Sequence, residues 1–302
     1  MKKNLLLLFS VLFLFAACKK QDNAVSSESS DSTTASADSS ASKNLPAAPI
    51  PNTIMTEAFV KNLAANIYGW GWPMVNIHNR VETFRALPGA IYAGGVLPLA
   101  PPNHLCMLND YVEPQERAVA CPNQDVVYGL SPLDLSLGPV VVQVPDFGDR
   151  FWVYQVCDQR TDGFASFGKM YGTKPGFYLL AHKDWNGKVP DGITAVFKSS
   201  TSRGIVIPRV FQTDDPADKK AIQPLINQIA IYPLEDFDGK MKITDWKKTK
   251  VTPPDAGGDK GETKWVKPET FFDQLADILK EVPPMPGEEA FYAQAHALLD
   301  AL

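Results

Sequence analysis

The hydrophobic and polar positions divide the chain into stretches of different character. Leu5 to Phe15 form an apolar run interrupted only by Ser10, and from Lys19 to about Pro51 the chain is Ser, Ala, Asp and Thr with almost no bulky apolar residue. Phe59, Leu63 and Ile67 then recur every four residues and predict a helix over Thr56 to Tyr68, capped by Thr56. Gly69, Gly71 and Pro73 are expected to break or bend it. The centre reads as β-structure. Valine-rich Gly138 to Pro145, the turn Asp146 to Asp149 and aromatic-rich Arg150 to Asp158 predict one hairpin. Phe177 to His182 and Ile193 to Ser199, around Asn186-Gly187 and Pro190-Asp191-Gly192, predict a second. Ser202 to Gln212 is a further strand in which Pro208 suggests an edge or a bulge.

Helical periodicity returns toward the C-terminus. Ala217 to Ile231 is a helix interrupted by Pro224, and Lys247 to Lys267 is an exposed polar loop. Pro268 to Glu281 carries Phe271, Phe272, Leu275, Ile278 and Leu279 on one side, with Pro268 in its first turn and Pro283-Pro284 as its stop. Glu288 to Leu302 is a last helix with Leu298, Leu299 and Leu302 needing cover. The pattern therefore predicts an α+β chain, mostly β: a β-rich domain over 52–240, and a loop with C-terminal helices over 241–302.

The first stretch has the form of a bacterial lipoprotein signal peptide. Lys2 and Lys3 precede the apolar run, and Ala16 and Ala17 precede Cys18, whose thiol can take a diacylglycerol. The run is shorter than the roughly 17 apolar residues of a membrane-spanning helix, so cleavage fits better than retention. Phe15 departs from the familiar Leu, and an ordinary secretory signal cleaved nearby is the alternative. Residues 1–17 are read as the signal and 18–51 as the lipidated cysteine with a disordered tether, since so polar a stretch cannot bury enough surface to fold. A linker of about thirty residues reaches roughly 30 Å in root-mean-square terms. The expected partner is thus a membrane, through Cys18, and the expected location the cell envelope; Lys19 after Cys18 favours the outer membrane.

Charge narrows the ligands. The net charge of −5 becomes −7 once Lys2 and Lys3 leave with the signal, and no dense basic block remains, which argues against nucleic acid. If Cys18 is lipidated, Cys106, Cys121 and Cys157 remain and at most one pair can form. Cys157 lies within a strand as a small apolar residue, leaving Cys106 with Cys121 as the preferred bridge. His78, His104, His182 and His296 show no metal-binding spacing, so no metal or cofactor is expected. Neither a nucleophile elbow nor a phosphate loop appears.

Cys121 to Tyr128, Leu133-Asp134-Leu135 and Gly138-Pro139-Val140 resemble the bacterial family known as domain of unknown function 1254. Val144-Pro145, Arg150-Phe151, Gln155 and Asp158 look like its next strand pair, Arg209 like its later strand arginine, and Asn66 to Gly69 with Pro73 and Arg80 like its opening helix. The resemblance implies a β-sandwich or jelly-roll-like core with added helices and no assigned activity. It also implies a second domain, of unknown function 1214, beginning where this chain stops, so that the chain is either a one-domain version or a shortened one.

Strand alternation supplies the candidate site. Arg203, Ile205, Ile207, Arg209 and Phe211 share one face of their strand, so Arg209 projects among apolar neighbours and needs a partner. Asp158, on the Trp152, Tyr154 and Val156 side of its strand, is the expected counter-ion, with Asn123, Asp125 and Tyr128 lining the same polar pocket. Arg209 would take an anionic or carbonyl group, Asp125 or Asp158 would move a proton, and Asn123 with Tyr128 would orient the ligand. The plain alternative is an internal network that fixes strand order. Asn103 is a further pocket candidate, while His104 and most aromatics are assigned to packing. Binding of a small or extended ligand leads. An acid-base enzyme using Asp125 and Asp158, or an interaction scaffold with an apolar patch at Leu298 to Leu302, are the other readings.

Overall fold

A computed structural model describes residues 54–112, 121–253 and 264–301. The signal, Cys18, the tether, Leu302 and part of the expected polar loop before Pro268 lie outside the described residues. The chain is mixed α+β: an N-terminal helix, several sheets packed together, and C-terminal helices, with no closed barrel among the described residues.

The long helix α1 (Glu57–Phe84) begins as expected, the Thr56 hydroxyl accepting from the Phe59 amide at 3.3 Å. It does not stop at Gly69. Pro73 lies inside it, and the residue four back, whose carbonyl loses its usual donor, is Gly69. Packing overrides the local breakers: α3 (Phe271–Ile278) lies so close that a side chain on Gly71 would meet Leu275 at 2.7 Å. Leu63, Ile67, Met74 and Val75 of α1 share one core with Phe271, Leu275 and Ile278, and with Tyr292, Ala295 and Leu298 of α4 (Glu289–Leu299). Leu298 is therefore fully covered, against the apolar patch expected around it.

Three sheets follow. A small one has the order β12-β1-β2, from β1 (Ile91–Ala93), β2 (Leu97–Leu99) and β12 (Lys250–Thr252). The largest, β3-β4-β10-β6-β7, uses β3 (Cys106–Met107), β4 (Val126–Asp134), β6 (Trp152–Asp158), β7 (Gly163–Gly168) and β10 (Arg203–Phe211). The third, β11-β5-β8-β9, uses β5 (Val140–Val144), β8 (Gly176–His182), β9 (Ile193–Ser199) and β11 (Ala230–Pro233). Helix α2 (Pro216–Ile226), with Pro224 inside, ends before β11, so the expected long helix splits into a helix and a strand.

Neither predicted hairpin forms. The first pair, β5 and β6, separates into different sheets, because β5 is buried along its whole length between β8 and β11. In the second, β8 and β9 pair in parallel, so residues 183–192 cross over rather than turn back. The two larger sheets instead contribute to one core. Val127, Leu133, Trp152, Tyr154, Phe167 and Val210 from one meet Val140, Val142, Val144, Tyr178, Leu180 and Ile231 from the other. Within this core Phe147, Trp152, Tyr154, Phe167, Tyr178 and Phe197 form successive ring contacts with centroids 4.9 to 6.4 Å apart.

Candidate functional site

The expected alternation of β10 holds. Gly204, Val206, Pro208 and Val210 are buried, while Arg203, Ile205, Ile207 and Arg209 are half-buried on the outer face. The helical layer covers only one end of that face: Ile205 and Leu130 pack into the helical core, whereas Ile207 and Arg209 line a cavity. β10 is central rather than an edge, with β4 on one side and β6 on the other. Pro208 lacks an amide hydrogen, and the β4 pairing lapses between Val206 and Arg209. Beside that gap stands Gly129, where a side chain would run into the Met107 sulfur.

Here lies a cavity of about 250 Å³. Its walls are mainly apolar, from Leu97, Pro98, Val112, Leu130 and Ile207, with Tyr128 and Arg209 supplying polar groups and Cys121 and Asn123 completing the lining. The site is thus more apolar than the pocket predicted from sequence. Arg209 stacks over Tyr128 at 5.4 Å from the ring centre, and its Nη2 donates to Gln155 Oε1 at 2.7 Å. Its Nε is buried without a hydrogen-bond partner. Among the described residues no carboxylate pairs with Arg209. The Tyr128 hydroxyl accepts from the Asn123 backbone amide at 2.8 Å, which ties the segment after Cys121 to β4. A second hollow, of about 400 Å³, is lined by Arg209 together with Gln155, Thr161, Ser166 and Tyr171.

Arg209 and Tyr128 are therefore brought together, with Asn123 beside them, but Asp158 is not. Asp158 stands opposite Gly204, on the core-facing side of the sheet and five positions from Arg209, roughly 16 Å along the strand. Its carboxylate instead closes its own turn. Oδ1 accepts the Arg160 amide at 2.8 Å and the Asp162 amide at 3.1 Å, and Oδ2 pairs with Arg160 Nη1 at 3.1 Å. Both side chains are 5% exposed, so Asp158 belongs to an internal network in which Arg160, not Arg209, is the cation. Asp125 is exposed just before Val126, which pairs with Phe211 at the far end of β10. Seven positions, roughly 23 Å, separate that end from Asp158. Paired carboxylates acting on one glycosidic bond need about 5 to 9.5 Å.

Asn103 is committed to the backbone. Its φ is 66°, and its amide clasps Asp134 like a strand neighbour, Nδ2 donating to the Asp134 carbonyl and Oδ1 accepting the Asp134 amide, both at 2.8 Å. The Asp134 carboxylate in turn receives Arg85 Nη2 at 2.6 Å, and Arg85 and Arg203 both bind Glu82 of α1. Hydrogen bonds from Arg85 and then Arg203 pull the Glu82 carboxyl down to about 2. This lattice joins the end of α1 to β4 and β10, and sequence reasoning missed it. The three-residue spacing of Glu82 and Arg85 on one helix face is the signal that could have shown part of it.

The pairing of Cys106 with Cys121, preferred among the possible bridges, does not form: both are free, Cys106 buried and Cys121 exposed at φ 49°. Burial pushes the Cys106 thiol up to about 12 and also raises that of Cys157, so neither is a ready nucleophile. Among the described residues no three His, Cys, Asp or Glu side chains converge as metal ligands.

No curated protein matches the chain. The solved structure of the VPA0106 protein from Vibrio parahaemolyticus is similar at 21% identity and a TM-score of 0.46, over 78% of this chain and 56% of that one. The chain therefore spans just over half the length of that protein. Residues 102–233, which include β4, β6 and β10 with Arg209, match the model of the family described as Protein of unknown function (DUF1254).

Proposed function

We propose that the protein is a lipid-anchored domain of the cell envelope, on the outer membrane, that binds a small organic anion with an apolar body. Arg209 takes the anionic group, Tyr128 holds the guanidinium plane, and Asn123 keeps Tyr128 in place. One observation carries this reading: an arginine with no carboxylate partner among the described residues lines a largely apolar cavity. A guanidinium so placed gains from a carboxylate, which it can meet with two parallel hydrogen bonds. Each methylene the ligand buries adds about 0.8 kcal/mol. Titration calorimetry of the full chain with octanoate and with octanol tests it. Octanoate should bind measurably and octanol at least tenfold more weakly; equal affinities would remove Arg209 from recognition. The anchor is supported by the Lys2-Lys3, apolar, Ala16-Ala17-Cys18 order. In a bacterial host Cys18→Ser should abolish incorporation of labelled palmitate, and persistence of the label would refute the anchor.

A further inference from the structure

The outer sheet face carries two cavities that differ in chemistry, and among the described residues Arg209 alone lines both. On one side Leu97, Leu130 and Ile207 offer an apolar slot of about 250 Å³. At about 30 Å³ for each water-sized group, it holds roughly eight methylenes. On the other side Gln155, Thr161 and Ser166 bring hydrogen-bonding side chains to a hollow of about 400 Å³. Gln155 also fixes Arg209 Nη2 at 2.7 Å, so the guanidinium is held at the junction. A plain fatty acid would fill the first cavity and end at Arg209, leaving the second to water.

Building on the Arg209 reading, we infer that the ligand is an acylated polar carboxylate of the N-acyl amino acid class. Its acyl chain enters the apolar slot, its carboxylate meets Arg209, and its polar side chain occupies the hollow beside Gln155 and Ser166. Such a molecule places a carboxylate between an apolar arm and a polar arm, which is the order the sheet face presents.

The test titrates the full chain with octanoate and with N-octanoylserine, using Ile207→Trp to fill the slot and Ser166→Trp to fill the hollow. Ser166 is exposed, so its variant should keep the fold, and that arm decides the question even if Ile207→Trp does not fold. N-Octanoylserine should bind at least tenfold more tightly than octanoate. Ser166→Trp should erase that advantage and leave octanoate unchanged, while Ile207→Trp weakens both at least tenfold. If octanoate binds through Arg209 but the conjugate is no tighter, or Ser166→Trp leaves its advantage intact, the two-cavity ligand is wrong and the Arg209 reading stands. If neither compound binds, both fall.

Discussion

Replacing Asp158 with Ala exposes what the Asp158–Arg160 pair contributes. The carboxylate satisfies two backbone amides and one guanidinium nitrogen, and it is 5% exposed, as is Arg160. Removing it leaves a buried cation whose Nε and Nη2 already lack hydrogen-bond partners. Breaking a buried pair in this way costs about 3–5 kcal/mol, a large share of the 5–15 kcal/mol that holds a typical domain together. The melting temperature should fall by roughly 10 °C. Urea unfolding followed by tryptophan fluorescence can read the change, because Trp152 is buried in the core between the sheets. The decisive comparison is the cycle with Arg160→Met. If the loss arises from a stranded charge, the double variant should be more stable than Asp158→Ala alone. A single variant within about 1 kcal/mol of wild type, or a double variant no better than the single, would refute the assignment of these residues to an internal network.

Gly204→Ala should destabilise strongly, since a side chain there would meet the Cys157 carbonyl oxygen at 2.5 Å and backbone cannot yield as a side-chain tip can; an unchanged urea midpoint would contradict the close approach. Acid stability should also depend on Glu82, whose carboxyl is depressed from 4.5 to about 2 by Arg85 and Arg203. A depressed carboxyl stabilises fully above its unfolded value and loses that effect as pH falls, here across the window from about 4.5 down to about 2. With 38% of the side chain exposed, the contribution is at most about 1 kcal/mol. Glu82→Gln should therefore cost this much at pH 7 and nothing near pH 2, and a pH-independent difference would contradict the mechanism.

Alternation within a strand was legible from sequence, and partnership between strands was not. The outward set Arg203, Ile205, Ile207 and Arg209 follows from period two alone. The mistaken Asp158–Arg209 pair needed the register, which sets Asp158 against Gly204 and Arg209 against Tyr128 and Val153. A local signal was present: Asp158 begins a turn ending Thr161-Asp162-Gly163, and an aspartate there caps the amide two residues on. Turn composition likewise misled for β8 and β9, since Asn186-Gly187 marks a reversal but not whether the chain then pairs or crosses over. Gly69, Gly71 and Pro73 signal a break by propensity, yet the cover supplied by α3 carries α1 through them. The cavity was legible only as a lone outward arginine. Its apolar wall comes from Leu97, Pro98 and Val112, whose placement against β4 and β10 no local pattern gives.

The central claim is that Arg209 serves a ligand rather than the fold. Its fold contacts are one exposed hydrogen bond to Gln155, at the low end of the about 1.5–3 kcal/mol of a charged donor, and a stack on Tyr128 of about 0.5–1 kcal/mol. A charge-assisted bond to a ligand carboxylate contributes about 1.5–3 kcal/mol, or roughly ten- to a hundredfold in affinity. The most direct measurement is octanoate titration of the Arg209→Leu variant beside its urea midpoint. The account requires a cooperative, folded protein with affinity reduced at least tenfold. A folded variant that binds octanoate as wild type does, or one that no longer folds, would contradict it.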